Sequence, residues 1–215
     1  MYKLILFDLD GTLLNTDPML KITFEELFKK YRPDYHPDDS HYFEFSGPPI
    51  KITLKKEFPN MDQDFILKEF RELSYINYDK YSFPYPYINE LIDVLKEKGI
   101  KFGVVTNKAR KATTKSFALF GLDKFFDFSI TSNDIINQKP DPEGVFKAMT
   151  YFGIEDKKDV LYIGDTIYDY NTAKNAGIDF GYVMWSPRKL PSDAKIDVKV
   201  QDYKDFAEKI RNEEI

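Results

Sequence analysis

The chain has 215 residues, enough for one large domain or for one domain carrying a smaller insert, and its 16% aromatic content gives ample core volume. A net charge of −5 gives no basic footprint for nucleic acid, and the absence of cysteine excludes disulfide and thiolate chemistry. No run of about 20 apolar residues offers a membrane span, and the first residues lack the regions of a secretory signal, so a cytoplasmic protein is expected.

Residues 3–7 form a short continuous apolar run, as in a strand buried on both faces of a parallel sheet. The run leads into Asp8-Leu9-Asp10-Gly11-Thr12. In extended backbone, residues two apart point the same way, so Asp8 and Asp10 share a side. Gly11 admits a positive φ or a close backbone approach. The turn reads either as a nucleophilic carboxylate with an acid–base neighbour beside a metal, or as a solvated acidic turn.

From Thr16 to Ser82 no strand pattern is found. Asp17-Pro18 reads as an N-cap followed by a first-turn proline, ahead of Leu20, Phe24, Leu27, Phe28 and Tyr31 at helical spacing. Pro33 and Pro37 end that helix. Ser46-Gly47-Pro48-Pro49-Ile50-Lys51 is a Gly-Pro-rich break. Asn60 and Gln63 have the spacing of a capping box before the stripe Ile66, Phe70, Leu73. Residues 16–82 therefore read as a helical insert. The chain leaves it through Phe83-Pro84-Tyr85-Pro86, where two prolines stiffen a hinge.

Beyond the insert, strands alternate with helices. The stripe Ile88, Leu91, Ile92, Leu95 precedes a strand at 101–105, and Thr113, Phe117, Phe120 precede one at 126–130. Val145, Met149 and Phe152 precede 160–163, which is followed by 181–184 and a weaker 197–200. This alternation predicts an α/β fold, a doubly wound, Rossmann-like parallel sheet, with a core made of 1–15 and 83–215.

Ligands of such sheets bind outside the carboxyl ends of the strands. There the sequence places Thr106-Asn107, which reads as a phosphate contact or as a helix N-cap. Lys139 is biased to extended backbone by Pro140, beside a helix that Asp141 caps with Pro142 in first position. It reads as a phosphate-neutralising lysine or as a solvated one. Asp165 and Asp169, four apart, face the same side of a helix start. They suit a Mg²⁺ site of few carboxylates and several waters, or Asp165 is simply an N-cap.

Taken in order, these strand ends present two carboxylates, Thr-Asn, Lys and two more carboxylates. In this the chain resembles the haloacid dehalogenase (HAD) superfamily of phosphotransferases. It matches all four motifs of that family, D-x-D-G-T, Thr or Ser, Lys, and G-D-x-x-x-D, and nearly the whole chain is covered, including a helical cap after the first motif. Residues 103–108 and 139–143 look like the phosphoglycolate phosphatase and pyrophosphatase branch; Tyr87 departs from it where Gly is usual.

The resemblance implies a Mg²⁺-dependent phosphatase acting on a small phosphorylated metabolite, phosphoglycolate- or pyrophosphate-like, through an aspartyl-phosphate. It assigns Asp8 as nucleophile and Asp10 as acid and base. Gly11, Thr106, Asn107 and Lys139 would hold phosphate, and Asp8, the Asp10 carbonyl and Asp165 would hold Mg²⁺ with Asp169 in support. Gly47 and Lys51 of the cap loop would meet the leaving group. A phosphomutase of the β-phosphoglucomutase type shares the core residues, but its relatives carry a His in the first cap helix, where this chain runs Pro18-Met19-Leu20-Lys21-Ile22-Thr23. A phosphonate hydrolase would need a Schiff-base Lys in the cap, and a non-catalytic phosphate-binding regulatory module would be expected to lose Asp8 or Asp10. No nucleic-acid or membrane partner is expected, and the oligomeric state is left open.

Overall fold

The computed structural model describes residues 1–215. Six strands form one parallel sheet in the order β5 (Ser129–Ile130), β4 (Lys101–Val105), β1 (Leu4–Phe7), β6 (Val160–Gly164), β7 (Asp179–Val183) and β8 (Val198–Val200). Successive side chains of β1 go to opposite faces. Ile5 and Phe7 pack with α5 (Ile88–Glu97) and α9 (Tyr203–Arg211), whereas Leu4 and Leu6 pack with α7 (Glu143–Phe152) and α8 (Ile167–Ala176). The strand is therefore apolar throughout because both of its faces are covered. β1 lies between β4 and β6, so the chain's crossovers diverge at its carboxyl end. That is where a doubly wound sheet opens a crevice.

Four helices lie between β1 and the remainder of the sheet: α1 (Asp17–Tyr31), α2 (Asp39–Phe43), α3 (Ile50–Glu57) and α4 (Gln63–Tyr81). They bury their apolar stripes on one another in a separate cluster that includes Leu20, Phe24, Tyr42, Leu54 and Ile66. Phe24 is central, with its ring centroid 4.1 Å from Phe45 and 5.5 Å from Phe70. The two chain segments that enter and leave this group pair as an antiparallel ribbon of β2 (Leu14–Asn15) and β3 (Phe83–Pro84). The double-proline segment is thus tied to the strand that follows the first acidic turn. No helix is long and apolar enough to cross a membrane.

Local starts and stops differ from the sequence expectation in instructive places. α1 is capped by Thr16, so Asp17 is its first residue and Pro18 its second. α4 is capped by Asp62, whose carboxylate accepts from Phe65 N at 2.8 Å, whereas Gln63 reaches back to Phe58 O and Met61 O. Asp141 does accept from the backbone of Glu143, but the helix begins one residue later than expected. Only Ser129 and Ile130 of the 126–130 run pair with β4. Phe126 is apolar because it is buried against Phe7, Phe102 and Phe117, so burial rather than strand pairing explains that part of the run.

Tyr87 caps α5 with φ +67° and ψ 15°, in the left-handed region. A side chain there costs roughly 1–2 kcal/mol that glycine avoids. The residue is 44% exposed, so little packing offsets the strain. Tyr87→Gly is expected to raise the thermal midpoint by roughly 2–4 °C for each kcal/mol gained. A lower midpoint in thermal unfolding would show that the ring contributes more than the strain costs.

Candidate active site

Asp8 follows the last residue of β1, and its amide donates to Ile163 O at 2.9 Å, continuing the β1–β6 ladder. The carboxylate is buried. Lys139 Nζ stands 2.8 Å from Asp8 Oδ1, an ion-pair distance, but this oxygen has no aligned hydrogen-bond donor. Burial pushes the Asp8 carboxyl up to about 6, and Lys139 opposes that rise.

Lys139 is equally buried. Its ammonium lies 2.5 Å from Asp169 Oδ1 and 3.1 Å from the Tyr162 hydroxyl, which itself donates to Val105 O. Burial disfavours the ammonium, but Asp169 and Asp8 outweigh it and hold its pKa well above the usual lysine value. Asn107 fixes the backbone at this point, because its Oδ1 accepts from Lys139 N at 2.9 Å. The same amide group donates to Gly47 O at 3.2 Å and to Lys139 O at 3.3 Å.

Asp169 is the third residue of α8 and completes a capping box with Thr166. Asp169 Oδ2 accepts from Thr166 N, Thr166 Oγ1 and Asp165 N, and its Oδ1 takes Lys139. Both oxygens are therefore committed. Thr166, not Asp165, caps the helix, and this leaves the Asp165 carboxylate free to face Asp8. Asp165 Oδ1 receives a long hydrogen bond of 3.4 Å from Thr12, and Oδ2 receives Arg188 Nη1 at 2.8 Å. Burial raises the Asp165 pKa well above the carboxylate range, with Arg188 working against it.

Gly11 lies over this carboxylate with φ +81°, and a Cβ there would stand 2.2 Å from Asp165 Oδ2. Its N–H donates to Leu14 O, and its carbonyl accepts from Trp185 Nε1. The Gly11 amide is therefore engaged within the turn, and the residue is glycine so that the turn can pass Asp165. Thr106 is buried at the end of β4 and accepts from Lys108 N. It is not a helix cap, since α6 (Arg110–Phe120) begins after Ala109.

From the insert, Gly47 comes to this cluster with φ +103°, and a Cβ there would stand 2.9 Å from Thr166 Cγ2. Lys51 does not join it and is exposed on the first turn of α3. Two cations that the motifs did not single out complete the cluster. Lys108 pairs with Asp10 Oδ1 at 2.7 Å and donates to the Tyr78 hydroxyl on α4 at 3.2 Å. Arg188, in the loop after β7, pairs with both Asp165 and Asp17 and donates through Nε to Phe43 O. Lys108, Arg188 and Asn107 thus link the core to four parts of the insert around one set of carboxylates.

Asp8, Asp165 and Asp169 each offer an oxygen within 4.8 Å of the others. Around them, Asp8, Asp10, Asp17, Asp165 and Asp169 face only Lys108, Lys139 and Arg188. The excess of negative charge, the unaligned Asp8 oxygen and the raised carboxyl pKa values all fit a divalent cation held by Asp8 and Asp165. Asp169, with both oxygens spent, would instead brace Lys139 and the Asp165 backbone.

Residues 5–183 match the family model of haloacid dehalogenase-like hydrolase. The chain belongs to the haloacid dehalogenase-like hydrolase family. Pyrophosphatase PpaX of Halalkalibacterium halodurans is 35% identical over 185 residues, covering 86% of this chain and 84% of that protein. Among solved structures, a Lactobacillus plantarum protein provisionally assigned as a phosphoglycolate phosphatase superposes with a TM-score of 0.84 at 22% identity, covering 97% of this chain and 99% of that one. A Thermotoga maritima protein provisionally assigned as a β-phosphoglucomutase gives 0.74 at 22% identity, covering 99% and 97%. These two structures share the fold. The resemblance to HAD phosphatases drawn from the motifs therefore holds.

Proposed function

We propose that this HAD hydrolase is a Mg²⁺-dependent phosphatase of small phosphorylated metabolites that works through a phosphoryl group carried on Asp8. The observation that carries the reading is the buried Asp8 carboxylate at the end of β1, with Lys139 2.8 Å away and an oxygen lacking an aligned donor. A carboxylate with a pKa of about 6 is mostly ionised at pH 7 and attacks phosphorus without a general base, unlike a serine. Its obstacle is repulsion from a phosphate dianion, which Lys139 reduces. Asp8, the Asp10 carbonyl and Asp165 would hold Mg²⁺, whose charge lowers the same repulsion and stabilises the transferring group.

Asp10, taking up a proton as the substrate binds, would give it to the leaving oxygen and later take one from water. Carrying that proton, it no longer forms an ion pair with Lys108. Thr106 would contact the transferring group, while Asn107 and Tyr162 set the position of Lys139. Residues 16–82 act as a cap in this reading, with the Gly47 loop against the core and water excluded beneath it. A pyrophosphate-like substrate is favoured by the similarity to pyrophosphatase PpaX, with phosphoglycolate of the same charge class beside it. A cytoplasmic location belongs to the same proposal.

Turnover is expected to drop about 100-fold or more in excess chelator and to return with Mg²⁺. Ca²⁺ should restore little of it, because its longer, more variable coordination lets a carboxylate chelate through both oxygens and lose its attack geometry. Full activity in excess chelator would contradict the metal-dependent reading.

A further inference from the structure

Lys108 holds a buried ammonium that the reaction proposed above does not use. Its side chain is 10% exposed, at the seam between core and insert. On the core side its Nζ pairs with Asp10 Oδ1 at 2.7 Å. On the insert side it donates to the Tyr78 hydroxyl at 3.2 Å and stands 4.5 Å from the centre of that ring. The Tyr78 hydroxyl is itself fixed by Ser116 Oγ at 2.6 Å. Contacts from α4 and from the loop after β4 therefore hold one cation against the carboxylate that would face the leaving group.

We infer that Lys108 Nζ, with the Tyr78 hydroxyl, anchors an anionic group carried by the leaving group, so that the enzyme selects phosphate compounds whose leaving group is itself negatively charged. The inference rests on the phosphatase reading. Asp10 is the carboxylate paired with Lys108, and as the proposed acid it would carry a proton rather than a charge once the substrate is bound. A buried ammonium that loses its partner is costly unless another anion takes its place. The group newly placed beside Asp10 at that moment is the leaving group. A carboxylate or phosphate on it meets the Lys108 charge, whereas an uncharged alcohol does not.

The two buried lysines then divide the substrate between them. Lys139, tied to Asp8 and Asp169, faces the transferring phosphoryl group, and Lys108, tied to Asp10, faces what departs. The exposed position of Lys51 on α3 agrees with this, because the charge for the leaving group comes from the core and not from the insert loop. A charge-assisted hydrogen bond of this kind is a frequent source of discrimination between a charged ligand and its neutral isostere.

The test compares phosphoglycolate with ethyl phosphate, which replaces the carboxylate by a methyl group, and adds pyrophosphate as a second anionic case. In Lys108→Met the ratio of kcat/KM for phosphoglycolate over ethyl phosphate is expected to fall about 30-fold, the worth of one charged hydrogen bond. Pyrophosphate should follow phosphoglycolate, and Lys108→Arg should recover part of the ratio. A binding readout runs beside it, in wild type first: methylenediphosphonate should inhibit more strongly than methylphosphonate, and Lys108→Met should narrow that gap. Equal loss on all substrates with the inhibitor gap unchanged would overturn the inference and leave Lys108 as a positioning residue for Asp10. Wild-type protein with no inhibitor preference would overturn it whether or not the variants fold. Wild-type protein that hydrolyses none of these compounds would overturn the phosphatase reading, and this inference with it.

Discussion

Asp8→Asn is expected to lower kcat by about 10⁴-fold or more on every phosphate substrate while the protein remains folded. An amide is nearly the same shape as the carboxylate but is a poor nucleophile. The stability side has a definite sign. Burial raises the folded-state pKa of Asp8 to about 6, above its ordinary value of 3.8. The folded, metal-free protein therefore binds that proton more tightly than the unfolded chain, and the ionised form costs stability increasingly as pH rises between those two values. Asn cannot ionise, so at pH 7 without metal the thermal midpoint should be unchanged or higher. A sequence-verified variant with near-wild-type kcat would remove Asp8 from its role; an unfolded variant would show that the carboxylate is needed to keep Lys139 in place.

Lys139→Met should damage both activity and stability. The ammonium stands between Asp8 and Asp169, and methionine leaves two buried carboxylates facing each other without a cation. Breaking a buried pair in this way costs about 3–5 kcal/mol. For a chain of this size each kcal/mol is roughly 2–4 °C in the thermal midpoint, so a drop on the order of 10 °C is expected. Loss of the positive charge beside the transferring group should lower kcat about 10³-fold. Mg²⁺ should return part of the lost stability, since it compensates the same carboxylates. A midpoint within about 2 °C of wild type, with kcat reduced less than about tenfold, would show that Lys139 matters neither to the fold nor to the chemistry.

The sheet and the strand ends were legible in the sequence because continuous apolar runs have few alternatives once helices alternate with them. Asp8, Thr106, Lys139 and Asp165 each stand at the strand end or loop where the spacing put them, and Tyr87, which stands where the resembled branch has Gly, caps a core helix. The helix starts were less legible. Thr16 against Asp17, and Asp62 against Asn60, are choices between neighbouring polar residues that all suit a cap, and tertiary packing decides among them.

Lys108 and Arg188 were harder still. Their partners lie 98 and 171 positions away in Asp10 and Asp17, so local spacing carries no trace of either pair. The signal available for Lys108 was its place two residues after Thr106, within a stretch already marked for phosphate. For Arg188 it was the run Trp185-Ser186-Pro187-Arg188 immediately after a strand end. Gly11 shows the opposite case: its residue type was read correctly as a close approach, but the structure spends its amide on Leu14 and its space on Asp165.

The links between core and insert place the chemistry in a closed setting. Asn107 holds Gly47, Lys108 holds Tyr78, and Arg188 holds Asp17 and Phe43, so movement of residues 16–82 would loosen four contacts made by side chains of the site. The path of the phosphoryl group is recorded in the stereochemistry at phosphorus. A phosphorothioate monoester made chiral by oxygen isotopes is hydrolysed in isotopically labelled water, and the configuration of the product thiophosphate is read. Each in-line displacement inverts phosphorus. Transfer first to Asp8 and then to water should give overall retention, whereas net inversion would mean direct attack by water and would contradict the account.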